Sequence, residues 1–209
     1  MSRERESAKP TARYLVPYVE ARQRKAKGVD ALLWEDLRSQ QIRFEAIARL
    51  CPLAGLSVLD VGCGQADFLG YLLSRGIAPL RYTGLEAQPW LARAARRKRY
   101  PKSSIVESDF VAEPSTLDVG AQALVYSGSL NFLPSRLFYS SLGAAWAATR
   151  RWLVFNFLCS PDLAGADGLR WHHRTAVLAF ARSRTPSVRM DDAYEDGDCT
   201  VVMRKQEPR

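Results

Sequence analysis

No segment of this chain is apolar over the length of a membrane span, so a membrane-spanning helix is excluded. The first residues, Met-Ser-Arg-Glu-Arg-Glu-Ser, are charged where a secretory leader would be apolar. Four cysteines, at positions 51, 63, 159 and 199, form neither a C-x-x-C pair nor any metal-ligand spacing. They read as reduced thiols, and a cytoplasmic protein is expected. The two histidines, His172 and His173, are adjacent and would face opposite ways in a strand, with no Cys or acidic partner at ligand spacing. No metal site is expected. Internal repeats are lacking, as is any break that would mark a second domain. What remains is 209 residues, 47% hydrophobic, enough for one domain with a full core.

The order of elements predicts an α/β fold. Residues 1–10 are expected to be a disordered tail. Residues 11–50 form two helices, Thr11 to Lys27 and Asp30 or Ala31 to Leu50, placed as a helical lid over the mouth of a core spanning 51–209. In that core, apolar strands at Val58–Val61, Tyr82–Glu86, Ser104–Glu107, Ala123–Tyr126 and Trp152–Leu158 alternate with helices, the last at Arg174–Arg182. A loop covers Ser160–Gly168. Two alternating segments, Ser187–Tyr194 and Asp198–Arg204, then close a hairpin around Glu195-Asp196-Gly197. This pattern implies a mainly parallel sheet with helices on both faces and one antiparallel strand at its edge.

The most informative segment is Ser57–Asp67. A strand runs into Gly62-Cys63-Gly64 and then into a helix, the entry unit of a doubly wound domain, where ligands sit beyond the carboxyl ends of the strands. A dinucleotide fingerprint would place a small residue where Asp67 stands, and an aspartate at a helix N-terminus repels a diphosphate. No Gly-Lys-Ser/Thr follows, so a P-loop is absent too. A ligand without phosphate, carrying a cation and ribose hydroxyls, suits Asp60 and Asp67 better. Asp60 or Glu86 alone could be a strand-end cap. Asp109 could cap the segment after it, and Phe110 could belong to the core.

Asp60, Gly62, Cys63, Gly64 and Ala66 together resemble the first motif of class I S-adenosylmethionine (SAM)-dependent methyltransferases. The resemblance extends over roughly residues 31 to 205. It implies a Rossmann-like seven-stranded sheet, SAM as cofactor with S-adenosylhomocysteine (SAH) as product, and no metal. It also implies roles. Glu86, with Ala87 beside it, would hold the ribose hydroxyls, worth about 1.5–3 kcal/mol for a charge-assisted bond. Asp109 would meet the adenine amino group, with Phe110 over the ring. Ser127 would lie under the methionine part, and Trp34 and Arg43 would reach its end, with Arg43 pairing the carboxylate. Trp34, Gln40 or Gln41, Arg43-Phe44, Ser127–Asn131, Phe155–Leu158, Asp192–Tyr194 and Asp198-x-Thr200 look like a bacterial subgroup with no substrate attached.

For the acceptor, Tyr14, Tyr18 and Asn131 are the candidates. The chain lacks the Asp/Asn-Pro-Pro-Tyr of enzymes that methylate amino groups of nucleic-acid bases, and the Pro-Cys of those that attack a pyrimidine. A small or medium-sized acceptor is therefore expected, with no catalytic residue needed unless the acceptor must lose a proton. The net charge of +8, concentrated near the start and in Arg93–Lys102, keeps an RNA or protein acceptor as the alternative. A SAM-binding module without turnover is a third reading. Nothing in the sequence bears on the oligomeric state.

Overall fold

The computed structural model describes residues 11–164 and 168–206. The expected tail, 1–10, lies outside the described residues, as do positions 165–167 of the expected loop. A short 3-10 turn, Arg13–Leu15, leads into α1, Val16–Gln23. Pro17 sits in the first turn of that helix, where its missing N–H costs nothing. A second 3-10 turn, Asp30–Leu32, precedes α2, Leu37–Leu50. The apolar spacing from residue 31 onward suggested one continuous helix. Instead Leu33 turns left-handed (φ 60°), and Asp36 and Ser39 form a reciprocal capping box that starts α2 six residues later.

The core follows as β1 (Ser57–Val61), α3 (Asp67–Ser74), β2 (Arg81–Glu86), α4 (Pro89–Arg97), β3 (Ser103–Glu107), β4 (Ala123–Tyr126), α5 (Ser135–Ala148), β5 (Trp152–Leu158), α6 (Arg174–Arg182), β6 (Val188–Asp191) and β7 (Asp198–Arg204). The seven strands form one sheet in the order β3-β2-β1-β4-β5-β7-β6. All neighbouring pairs are parallel except those made by β7, which runs against both β5 and β6. The antiparallel strand thus stands second from that edge, with β6 outside it.

Each strand sends alternate side chains to opposite faces. On one face Val58, Tyr82, Val125, Val154 and Val202 pack against Phe44 and Ile47 of α2 and Phe68, Leu69 and Leu72 of α3. On the other, Leu59, Val61, Leu124, Tyr126 and Phe155 pack against Phe138, Leu142 and Ala145 of α5 and Val177 and Ala181 of α6. So α2 belongs to the body of the fold. Its Arg43 forms a buried ion pair with Asp198 at the start of β7 and donates to the carbonyl of Ser39. The lid expected over 11–50 therefore splits, because 37–50 fill the sheet face that would otherwise be bare. Among the described residues no helix is long and apolar enough to cross a membrane.

Candidate functional site

Strand order reverses at β1, which pairs with β2 on one side and β4 on the other. The crevice outside the carboxyl ends of such strands is where open α/β sheets bind ligands. Here it holds a cavity of about 970 Å³, its open mouth included.

Three carboxylates line it from three successive strand ends. Asp60, in β1, is buried and accepts a hydrogen bond from Tyr82 Oη. Burial raises its pKa to about 7, against the pull of that hydrogen bond and with the added push of the Glu86 charge. Glu86, closing β2, is braced by the backbone: Gly64 N–H donates to one oxygen (2.8 Å) and Gln88 N–H to the other (2.7 Å). Burial lifts its pKa to about 7 as well, opposed by these N–H groups. Each oxygen keeps a second lone pair for a ligand hydroxyl. Asp109, beyond β3, accepts from the N–H groups of Val111 and Ala112 through one oxygen and from Tyr14 Oη (2.7 Å) through the other. It caps its own turn and also engages the N-terminal segment.

The glycine turn lies between these acids. Gly62 has φ 74°, and a Cβ there would come within 2.4 Å of Ser129 Cβ. At Gly64 the neighbour would be Leu32 at 2.6 Å, and at Gly128 it would be Trp34 at 2.6 Å. Asp67, at the start of α3, also lines the cavity and is paired with Lys98. Cys63 lines it too, its thiol pushed well up by burial. Residues 11–34 form a cover. Tyr14, Tyr18, Leu32 and Trp34 line the cavity, Tyr18 meets Phe132 edge-on at 5.5 Å, and Gln65 Nε2 donates to the carbonyl of Gly28. Burial and the Glu86 charge raise the Tyr18 pKa, and burial and Asp109 that of Tyr14, so both hydroxyls stay protonated.

The cavity gathers Trp34, Asp60, Gly62, Cys63, Gly64, Glu86, Ala87, Asp109, Phe110 and Ser127, together with Tyr14, Tyr18 and Asn131. Arg43 is not among its walls. Its guanidinium, expected to meet a ligand carboxylate, is turned to Asp198 and lies 5.1 Å from the Trp34 ring. Asp198 also accepts from Tyr194 Oη, which in turn accepts from Thr200 Oγ1. The residues Arg43, Tyr194, Asp198 and Thr200, which stood out together in the sequence, are one internal network that clamps α2 to the sheet. The polar group that does reach the cavity from α2 is Gln40, one turn earlier. It is 3% exposed, and its Nε2 has no hydrogen-bond partner. Ser127 Oγ and Asn131 Oδ1 are likewise buried without partners. Such groups are costly unless something satisfies them. Gln40 differs from the neighbouring polar residues of its helix only by direction, which sequence periodicity alone left open.

No family model and no curated protein matches the chain. Among solved structures, an O-methyltransferase family protein from Burkholderia thailandensis superposes with TM-score 0.70 at 14% identity over 90% of this chain. This chain spans 64% of that protein's length. Magnesium protoporphyrin IX methyltransferase (ChlM) from Synechocystis PCC 6803, with bound SAH, gives TM-score 0.66 at 12% identity, covering 92% of this chain and 97% of ChlM. The small RNA methyltransferase HEN1 gives 0.65 at 14%, covering 81% of this chain and 25% of HEN1. The chain has the fold of the class I SAM-dependent methyltransferases. Among the described residues no group of three or more His, Cys, Asp or Glu is placed to hold a metal ion.

Proposed function

We propose that the protein is a SAM-dependent methyltransferase acting on a small or medium-sized acceptor. The observation that carries this reading is Glu86, a buried carboxylate fixed by the N–H of Gly64 in the glycine turn, with Asp60 and Asp109 in the same cavity. Orphaned polar atoms at Gln40, Ser127 and Asn131, and a glycine turn in the cavity wall, support the fit of such a ligand. When bound, SAM supplies an electrophilic methyl group carried on a sulfonium.

The chain's own residues hold and align. Glu86 accepts the ribose hydroxyls, Asp109 and Phe110 hold the base, and the Gln40 amide donates to the amino-acid carboxylate in the place expected for Arg43. Asp60 supplies negative charge near the cationic end. Tyr14, Tyr18 and Trp34 exclude water, and Asn131 orients the acceptor. Alignment of this kind can supply effective molarities of about 10⁵–10⁸ M. Residues 11–34 act as a lid, opening by release of the Tyr14–Asp109 bond.

A polyanionic acceptor is less well supported. Of the Arg93–Lys102 cluster, Arg96 pairs with Glu107 and Lys98 with Asp67, so part of that charge is spent within the fold. Titration calorimetry with SAH and with NAD tests the ligand, and tighter binding of NAD would overturn it. Transfer of labelled methyl from SAM into a metabolite extract tests turnover. Label appearing in RNA instead would move the acceptor class.

A further inference from the structure

Spacing along the chain keeps the four cysteines apart, and the fold brings two of them together. Cys159 follows β5 directly, and Cys199 lies within β7. These strands run antiparallel with Phe157 opposite Cys199. The pairing continues one step past β5, where the N–H of Cys159 donates to the carbonyl of Gly197 at 2.7 Å. Residues two apart on a strand share a face, so Cys159 and Cys199 are diagonal neighbours on one face of the sheet. Their sulfurs are in direct contact, 2.7 Å apart, and both are free thiols.

The two differ in access. Cys199 is 0% exposed and belongs to the core, whereas Cys159 is part-exposed at the rim of the same cluster. A reagent from solvent therefore meets Cys159 first, and Cys199 can react only with the sulfur beside it. Burial raises the Cys159 thiol, against the pull of its contact with Cys199 and of the Arg174 charge. Burial and the neighbouring sulfur raise that of Cys199. Only the thiolate attacks a disulfide, so the first step is slow at neutral pH and quickens as pH rises.

We propose that Cys159 and Cys199 form a dithiol that a small-molecule disulfide converts into an intramolecular disulfide. This site does not rest on the methyltransferase reading. With glutathione disulfide as the oxidant, Cys159 loses its proton to solvent and attacks one sulfur of the reagent. A bond forms between Cys159 and that sulfur, the reagent's own S–S bond breaks, and one glutathione leaves and takes up a proton. Cys199 then gives up its proton, attacks the Cys159 sulfur and expels the second glutathione. Two protein thiols are oxidised and one glutathione disulfide is reduced to two thiols. The new bond joins positions 40 apart in sequence and fastens the end of β5 to the strand that brings Asp198 to Arg43. It also fixes the start of the segment whose Ser160 and Leu163 pack over Gly197.

The test is incubation of the folded full chain with excess glutathione disulfide at about pH 7 and about pH 9, below and above the ordinary thiol value. The remaining thiols are then alkylated after unfolding, and the bonds are mapped by mass spectrometry. The expected map shows Cys159 joined to Cys199, with Cys51 and Cys63 alkylated, and the joined form accumulates faster at the higher pH. Cys199→Ala should stop the reaction at the mixed disulfide on Cys159, and Cys159→Ala should leave Cys199 unmodified. Because a cross-link restricts the unfolded chain, the oxidised protein should melt about 5 °C or more above the reduced one and return to the lower value on treatment with dithiothreitol. A wild-type chain that stays unmodified, that halts at glutathione on Cys159, or that links Cys51 or Cys63 instead would overturn the proposal, and this map needs no variant to fold. An oxidised form that melts at or below the reduced one would overturn the fastening of β5 to β7.

Discussion

Residues 11–34 and residues 37–50 are neighbours in sequence, both helical in part, and both lie outside the sheet. Their attachments differ in kind. The second segment buries Phe44 and Ile47 against the strands and is locked by a desolvated Arg43–Asp198 pair. The first rests on the cavity through Tyr14–Asp109, Tyr18 against Phe132, and Leu32 and Trp34 over glycines. A helix whose apolar stripe meets a sheet becomes core, whereas one whose contacts are aromatic rims over a cavity can lift off at modest cost.

The largest effect expected from this contrast is at Arg43. Arg43→Ala leaves Asp198 buried without its cation and should destabilise the protein by about 3–5 kcal/mol in urea unfolding. A loss under about 1 kcal/mol would mean that α2 is held by apolar packing alone. Next come the glycines. In Gly62→Ala the new methyl meets Ser129 Cβ, a neighbour fixed to the body, at a positive φ, and about 2–3 kcal/mol should be lost. In Gly128→Ala the nearest atoms the new methyl meets belong to the Trp34 ring, so the cover should lift and the loss should stay near 1 kcal/mol. Hydrogen exchange of residues 11–34 should quicken in the second variant and not in the first. Equal costs with no change in exchange would make the cover as fixed as α2.

The pH dependence separates fold stability from ligand affinity by sign. Asp60 and Glu86 are raised from ordinary carboxyl values to about 7, so the native state holds protons that the unfolded chain releases. Their contribution favours the fold below pH 4, is lost as pH rises toward 7, and is flat above. Binding of ligand hydroxyls and a cation needs the ionised acids, so SAH and SAM affinity should rise over the approach to pH 7. Replacing Glu86 with Gln should flatten much of both trends. Parallel rather than opposed trends in melting temperature and affinity would remove these acids from the binding account. Glu86→Ala should also destabilise the ligand-free protein, because the N–H groups of Gly64 and Gln88 would lose their acceptor. The smallest effect belongs to Tyr14→Phe, which removes one partly buried hydrogen bond. About 0.5–1.5 kcal/mol should disappear from closure of the cover, read as faster amide exchange in 11–34. Global unfolding should be nearly unchanged.

Much of this was legible in the sequence. The strand, glycine turn and helix at 57–74, the acids closing successive strands, and the limits of β5, α6 and β7 all follow from period, punctuation and spacing. These are local signals. Arg43 was not legible, because its partner lies 155 residues away and a guanidinium suits a ligand carboxylate as well as an aspartate. Gln40 stood out beside Gln41, but its role was given to Arg43 for a related reason. It stands one turn from Arg43, and only the rotation of α2 on the sheet decides which of them looks into the cavity. The start of α2 was lost to leucines at 32, 33 and 37, whose helical spacing outvoted the capping box at Asp36.

The placement of β7 carries a consequence for how the chain is made. Among the described residues it is the last strand, yet it lies between β5 and β6, and it brings the counter-charge for Arg43. On a ribosome, α2 emerges early with an unpaired guanidinium and an apolar stripe, and its partner arrives only after nearly all of the sheet has been synthesised. The body therefore closes in one late step of long sequence separation, a topology that folds slowly and leaves nascent apolar surface exposed in the meantime. Chains stalled before residue 198 should be recognised by chaperones, whereas those released after β7 should not.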